Sequence, residues 1–309
     1  MRIVFMGTPD FAVPCLRRLL DDGHTVAGVF TQPDKPQGRK MVLTAPPVKQ
    51  LALQRGLPVY QPDTFRDEAA LPLLRALSPE VIVVVAYGKI LPRYVLELPR
   101  FGCVNVHGSL LPRWRGAAPI QWSILAGDRT TGVTTMQMDA GLDTGGILLK
   151  YETEIGARET AGELFDRLST AGAELLSRTL RQLEQGTLTP EAQDDAASCY
   201  ASMLDKKLAQ IDWSRPARAI DCQIRGLNPW PVALTALHGE RMKVFAAEPV
   251  EGGGAPGTVL TSDPKDGLVV ACGQGALRLT EIQVVGGKRL QAGEYLRGHA
   301  VPVGTVLGE

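Results

Sequence analysis

The run Val81-Ile82-Val83-Val84-Val85-Ala86 constrains the fold more than any other stretch, because it is apolar without interruption and rich in β-branched residues. Successive strand residues point to opposite faces, so a strand with no polar face must be covered on both sides. That is the situation of a central strand in a parallel sheet between two helix layers. The flanking pattern agrees. Arg2 to Met6 reads as a strand, Phe11 to Asp22 as an amphipathic helix and Thr25 to Thr31 as a strand. A helix from Val48 to Arg55, a short strand at Val59-Tyr60 and a helix from Glu68 to Ala76 follow. Strands alternating with helices predict an α/β fold with a doubly wound, mostly parallel sheet, Rossmann-like in layout.

Beyond the central run, the pattern predicts a strand at Gly102 to Val106, a helix near Ala118 to Ala126, and strands at Val133 to Met138 and Gly146 to Glu154. Leu164, Leu168, Leu175, Leu176, Leu180 and Leu183 recur at helical spacing and mark a long helix over Ala161 to Gln185. After it the character changes. Residues 188–204 are polar and read as a linker. From 205 to 309 one helix, Ala217 to Leu227, precedes short strands separated by Gly and Pro turns, which predicts a small, OB-like β-barrel. The organisation expected is thus an N-terminal domain over 1–187, the linker and a C-terminal domain. A length of 309 residues accommodates two domains.

One stretch breaks the alternation. Gln32 to Pro47 carries four prolines, Gly38 and the cations Lys35, Arg39 and Lys40, and is expected to be an exposed loop rather than helix or sheet. Lys and Arg balance Asp and Glu at 33 each, so any nucleic acid must be held by a local patch and not by a global field. The cysteines Cys15, Cys103, Cys199, Cys222 and Cys272 are scattered, with no CxxC pair, and indicate neither a disulfide framework nor a metal site. No apolar run approaches the roughly 20 residues that span a bilayer. A cytoplasmic location away from membranes is expected.

Chemistry is most concentrated at Cys103-Val104-Asn105-Val106-His107-Gly108-Ser109-Leu110-Leu111-Pro112, where a buried strand ends. Ligands of open parallel sheets bind beyond the carboxyl ends of the strands, and alternation puts Asn105 and His107 on one side. An amide and a protonated imidazole can both donate to an oxygen that gains negative charge in a tetrahedral intermediate. Asp139-Ala140-Gly141-Leu142-Asp143-Thr144-Gly145-Gly146 follows another strand, and Asp143 would orient His107 if the loops meet. Its glycines would let the backbone approach a flat heterocycle. Each piece also has an ordinary reading as a strand end or a turn. Taken alone, these residues reach only an α/β enzyme with a polar site at the sheet edge.

The run Asn105 to Ile120 (NVHGSLLPRWRGAAPI) followed by Met138 to Gly145 (MDAGLDTG) resembles the signature of the folate-dependent formyltransferases. The start Val4 to Phe11, the Gln32 to Pro36 stretch, Ile211-Asp212-Trp213 and Arg225 to Pro231 are similar to the same family, so the resemblance spans almost the whole chain. It implies 10-formyltetrahydrofolate as formyl donor without a metal, with Asn105, His107 and Asp143 on the catalytic positions. Ser109, Leu110, Leu111 and Pro112 fall on the folate-contacting segment. Within the family, Pro33 to Lys40 resembles an insertion of the enzymes that formylate initiator methionyl-tRNA, which implies tRNA contacts from Lys35, Arg39 and Lys40. The C-terminal domain would add RNA contacts through Lys206, Lys207 and Lys243, and a monomer is expected. Two other readings remain open here: a formyltransferase acting on an amino-sugar nucleotide, and a non-catalytic RNA- or folate-binding module. Glycinamide ribonucleotide transformylases would leave everything after the linker unexplained.

Overall fold

A computed structural model describes residues 1–38, 40–66 and 68–308. The chain divides into two compact units. The first comprises residues 1–119, 130–153 and 165–201, and the second residues 120–129, 154–164 and 202–309.

The first unit opens with β1 (Arg2–Gly7), α1 (Val13–Asp21) and β2 (Thr25–Phe30), then β3 (Lys35–Gln37), β4 (Val42–Thr44), α2 (Pro47–Gln54) and β5 (Val59–Tyr60). Next come α3 (Leu71–Leu77), β6 (Val81–Val85), α4 (Arg93–Leu96), β7 (Cys103–His107) and β8 (Arg115–Gly116). The chain then enters α5 (Pro119–Leu125), which apart from Pro119 belongs to the second unit. It continues with β9 (Thr130–Gln137), β10 (Ile147–Glu154), α6 (Ala161–Glu184), whose residues up to Leu164 also belong to the second unit, and β11 (Tyr200–Ala201). The main sheet has the order β10-β9-β7-β6-β1-β2-β5. β5, β2, β1, β6 and β7 run parallel, and β9 pairs antiparallel with β7. The doubly wound, mostly parallel sheet expected from the sequence is therefore present.

Every residue of β6 is buried, as its unbroken apolar run required. Each such side chain removed from water contributes roughly 1.5–3 kcal/mol before entropy is counted. Val4, Met6, Ile82, Val84 and Cys103 pack in one cluster with Leu74 and Leu77 of α3 and with Val95 and Leu96 of α4. On the opposite face Thr135 of β9 shares a hydrogen bond of 2.8 Å with Thr179 of α6, and a Cβ added at Gly172 of α6 would lie 3.0 Å from Val106 of β7. The long helix thus lies against the strand that carries the candidate chemistry.

Two helices begin later than their patterns suggested, and proline explains both. Pro14 and Pro72 sit at the second helical positions of α1 and α3, where their missing N–H costs nothing; placed deeper in a helix, each would break the ladder. Asp10–Ala12 forms a single 3-10 turn instead of the first turn of α1. The Gln32 to Pro47 stretch needs a correction. Its middle is exposed while Pro46 is buried, and it holds a two-stranded antiparallel ribbon in which Lys35, Pro36 and Gln37 pair with Thr44, Leu43 and Val42. A ribbon has only edges, so a proline whose missing N–H faces outward does not break it.

The second unit has α7 (Ala217–Gly226) followed by β12 (Ala233–Leu237), β13 (Glu240–Val250), β14 (Val259–Asp263), β15 (Gly267–Ala271), β16 (Ala276–Val284), β17 (Leu290–Gln291) and α8 (Ala292–Gly298). The strands form an antiparallel sheet of order β12-β13-β16-β15-β14, with β17 on β16. Ile220 and Ile224 of α7 share a core with Met242, Val244, Leu268, Val270, Leu277 and Leu279. Asp221 of α7 is buried but paired with Arg225 at 2.9 Å and Arg158 at 3.0 Å, so its charge is compensated. The sequence pattern missed α8. Gly293 and Gly298 weaken its helical signal, and packing of Ala292, Tyr295 and Leu296 on the core overrides propensity. Among the described residues no helix is long and apolar enough to cross a membrane.

Candidate active site

β7 carries Asn105 and His107 to the carboxyl end of the sheet. In register, Asn105 lies between Val84 of β6 and Met136 of β9, and His107 lies beside Thr134. Strand alternation turns both away from α6, because Val106 between them faces Gly172 of that helix. Asn105 is 8% and His107 6% exposed. Among the described residues the Asn105 amide makes no hydrogen bond, which leaves its two N–H groups free to meet a ligand.

His107 is held more firmly. Its Nε2 lies 2.9 Å from the Trp114 carbonyl oxygen. A carbonyl only accepts, so Nε2 carries the proton and donates. Nδ1 faces Asp143 Oδ2 at 3.8 Å, too far for a hydrogen bond but close enough for charge attraction once the ring is protonated. Both ring nitrogens therefore face acceptor oxygens.

Asp143 meets His107 because the loop after β9 turns back on itself. Asp139 Oδ1 accepts from Gly141 N at 3.0 Å and Thr144 Oγ1 at 2.7 Å. A Cβ at Gly145 would sit 1.8 Å from the Gln137 carbonyl oxygen, so only glycine permits that approach. The glycine serves loop closure, a use that the sequence pattern did not announce. Asp143 itself adopts a left-handed φ of 53°, and its Oδ2 accepts from Gly116 N at 2.9 Å. The Asn105, His107 and Asp143 side chains are thus gathered at one sheet end.

The segment from Ser109 to Pro112 lies alongside. Ser109 and Leu111 are fully buried: the Ser109 hydroxyl donates to Arg113 O at 2.7 Å, and Leu111 packs with Met136 and Ile147. Thr134 Oγ1 ties the segment to β9, donating to Ser109 O at 2.7 Å and accepting from Leu111 N at 3.1 Å. Leu110 and Pro112 keep partial exposure, and the Leu111–Pro112 bond is cis.

The basic segment follows β2, which β6 and β1 separate from β7 in the sheet. Lys35 and Lys40 are exposed, and Arg39 lies outside the described residues. Asp34 anchors the neck of the ribbon: Lys49 Nζ donates to both of its oxygens at 2.8 Å, and Gln61 Nε2 donates at 2.9 Å. These bonds, that from Lys49 first, hold the Asp34 carboxyl below the usual carboxylate range. A cleft of about 330 Å³ is lined by Thr8, Pro9, Gln32, Lys35, Pro46 and Gln50 among others, so one ribbon cation stands on its wall. Among the described residues no group of three or more His, Cys, Asp or Glu could hold a metal ion.

Comparison with known proteins decides the family. The family described as formyl transferase matches residues 1–180, and the formyl transferase C-terminal domain matches residues 203–300. The chain belongs to the formyl transferase family. A methionyl-tRNA formyltransferase of Citrifermentans bemidjiense is 52% identical over 100% of this chain and 97% of its own. One of Magnetococcus marinus is 53% identical over 100% of this chain and 98% of its own. Among solved structures, an N-formyltransferase of Helicobacter canadensis in complex with folinic acid and dTDP-3-aminofucose superposes with a TM-score of 0.68 at 18% identity. That match covers 94% of this chain and 100% of the other. HypX of Aquifex aeolicus in complex with tetrahydrofolic acid gives 0.62 at 17% identity, over 99% of this chain and 50% of that one. At such identities the two structures speak for the shared fold alone.

Sequence reasoning missed the groups that hold the family's motif residues in place. The Trp114 carbonyl and the Gly116 N–H are backbone groups, which no residue type announces. Gln193, whose side-chain amide donates to Asp143 O at 2.8 Å, lies in the stretch read as linker. Arg115, inside the recognised motif, donates to Gln193 and at 2.7 Å to Asp195.

Proposed function

We propose that this enzyme transfers the formyl group of 10-formyltetrahydrofolate to the methionine amino group of initiator methionyl-tRNA, supplying the charged tRNA for translation initiation. The observation that carries the reading is the unpartnered Asn105 amide beside the His107–Asp143 pair, 3.8 Å apart, at the carboxyl end of β7. Full-length identity of 52–53% to methionyl-tRNA formyltransferases supports the acceptor.

The methionine amine attacks the formyl carbon, and the carbonyl oxygen becomes an oxyanion. Asn105 donates to that oxygen. Protonated His107, with Trp114 O on Nε2 and Asp143 facing Nδ1, places a positive charge alongside. Collapse breaks the bond from the formyl carbon to the folate nitrogen; the amine gives up one proton and the departing folate nitrogen takes one up, so tetrahydrofolate leaves with the proton count unchanged. Contact from Ser109 to Pro112 falls to Leu110, Pro112 and the backbone, because the Ser109 and Leu111 side chains are turned inward. Lys35, Arg39 and Lys40 pair with acceptor-stem phosphates, and residues 205–309, with Lys206, Lys207 and Lys243 exposed, provide a second RNA surface. The stretch 188–204 joins the two domains, the working unit is one chain, and the reaction belongs to the cytoplasm.

The test is transfer of labelled formyl from 10-formyltetrahydrofolate to initiator methionyl-tRNA, beside elongator methionyl-tRNA and an amino-sugar nucleotide. Labelling of the initiator alone is expected. Labelling of the sugar nucleotide alone would refute the acceptor, and no labelling would refute the activity.

A further inference from the structure

The stretch 188–204 supplies none of the reacting groups, yet it grips the loop that supplies Asp143. Gln193 Nε2 donates to the carbonyl oxygens of Asp143 at 2.8 Å and Gly145 at 2.7 Å. Its Oε1 accepts from Arg115 Nε at 3.1 Å and Nη2 at 2.9 Å. Two N–H groups and two lone pairs are all that a side-chain amide has, and every one is used. The bonds close a ring. Arg115 precedes Gly116, Gly116 N donates to Asp143 Oδ2 at 2.9 Å, and Asp143 returns to Gln193 through its carbonyl. The same stretch fixes the Gly116 peptide from both sides: Arg115 N donates to Cys199 O at 2.9 Å and Ala117 N to Ala201 O at 2.8 Å.

We propose that Gln193 is a positioning residue for Asp143, setting the carboxylate between Gly116 N and His107 and so acting on the formyl-transfer step through Asp143 alone. The inference rests on the reading above that the His107–Asp143 pair takes part in that step. The chemistry of the position admits few substitutes. Glutamate keeps the acceptor for Arg115 but turns a second oxygen onto two carbonyls, and asparagine is one methylene short. Asp143 sits at φ 53°, so its loop depends on bonds of this kind to keep one shape.

The experiment uses the full chain and measures single-turnover formyl transfer, KM for both substrates and thermal melting. The variants are Gln193→Ala, Gln193→Glu and Gln193→Asn, with Gln193→Ala also placed in an Asp143→Ala background. Asp194→Ala serves as the control, because it removes the cap of the neighbouring 3-10 turn, where Asp194 Oδ1 accepts from Ala196 N at 3.0 Å, without touching the Asp143 loop. Misplacing a reacting group by about 1 Å costs up to about 100-fold, so Gln193→Ala and Gln193→Glu are expected to lower the transfer rate about 10- to 100-fold. KM should move less than about twofold, as for an interaction made only in the transition state. In the Asp143→Ala background Gln193→Ala should change the rate less than about twofold, a coupling that a merely structural role would not give. Gln193→Glu, which retains the Arg115 bond, carries the test if the alanine variant melts early. An impaired Asp143→Ala enzyme together with an unimpaired Gln193→Ala enzyme overturns the proposal. So does an equal Gln193→Ala loss in both backgrounds, or an equal loss from Asp194→Ala. An Asp143→Ala enzyme as fast as the wild type overturns the underlying reading, and this inference with it.

Discussion

Replacing Asn105 by alanine isolates one term of the proposed chemistry. The side chain projects from the middle of the sheet between Val84 and Met136, is 8% exposed, and has no hydrogen-bond partner among the described residues. Deleting it therefore orphans no protein donor or acceptor, and the folding cost is confined to poorer packing, about 1 kcal/mol. For a chain of this size that lowers the melting temperature by about 2–4 °C. The transition state loses more. An oxyanion donor in a site that excludes water is worth about 3–4 kcal/mol, or roughly two to three orders of magnitude in the transfer rate. Asn105→Asp should be at least as slow, since a carboxylate cannot donate and repels the developing charge. The assay is single-turnover transfer to initiator methionyl-tRNA with both substrates saturating, with melting followed in parallel. A rate within threefold of the wild type would refute the oxyanion role. A raised KM at unchanged turnover would show instead that the amide binds ground state and transition state equally.

The combined variant Lys35→Ala/Arg39→Ala/Lys40→Ala should weaken tRNA binding and reduce its salt slope by about one for every phosphate left without its cation, with KM for the folate unchanged; an unaltered slope in a salt titration would remove these cations from the RNA surface. Burial pushes the Cys15 and Cys103 thiols up to about 12, so at pH 8 only about 10⁻⁴ of each is thiolate, and half-exposed Cys199 should alkylate first with iodoacetamide; early labelling of Cys103 by mass spectrometry would contradict the packing. Asp34 has a depressed carboxyl because Lys49, then Gln61, donate to it, so its contribution is fully present above the ordinary aspartate value and is lost only as pH falls below that through the depressed one. Protease cutting within residues 32–47 should accordingly be alike at pH 7 and pH 5, and faster in Asp34→Asn; a rise between pH 7 and pH 5 would argue against this anchor.

Much of this architecture is legible in the sequence because burial leaves few choices. β6 could only be a covered strand, and strand parity put Asn105 and His107 on one face before any pairing was known. What stayed hidden falls into two kinds. Elements set by tertiary packing contradict local composition: the proline-bearing ribbon of β3 and β4, and the glycine-bearing helix α8. Groups without a side-chain signature leave no trace at all, such as the Trp114 carbonyl that fixes the His107 tautomer and the Gly116 N–H that holds Asp143. Gln193 is a case of its own. A polar residue in a polar stretch reads as solvated, and only the paired bonds to Asp143 and Arg115 show otherwise.

The energies at Asp143 indicate why such a clamp is required. An aspartate at φ 53° tolerates the left-handed region better than most residues, yet the conformation still costs about 1 kcal/mol or somewhat more. The two bonds from Gln193 contribute roughly 0.5–1.5 kcal/mol each, and the charge-assisted bond from Gly116 about 1.5–3. The stabilising terms exceed the strain by only a few kcal/mol, so losing the Gln193 pair leaves the loop close to balance rather than unfolded. A loop near balance samples other conformations, and in most of them Asp143 Oδ2 is no longer 3.8 Å from His107 Nδ1. Loss of Gln193 should therefore appear first as slower chemistry on a folded protein, and the site extends as far as the side chains that decide this balance.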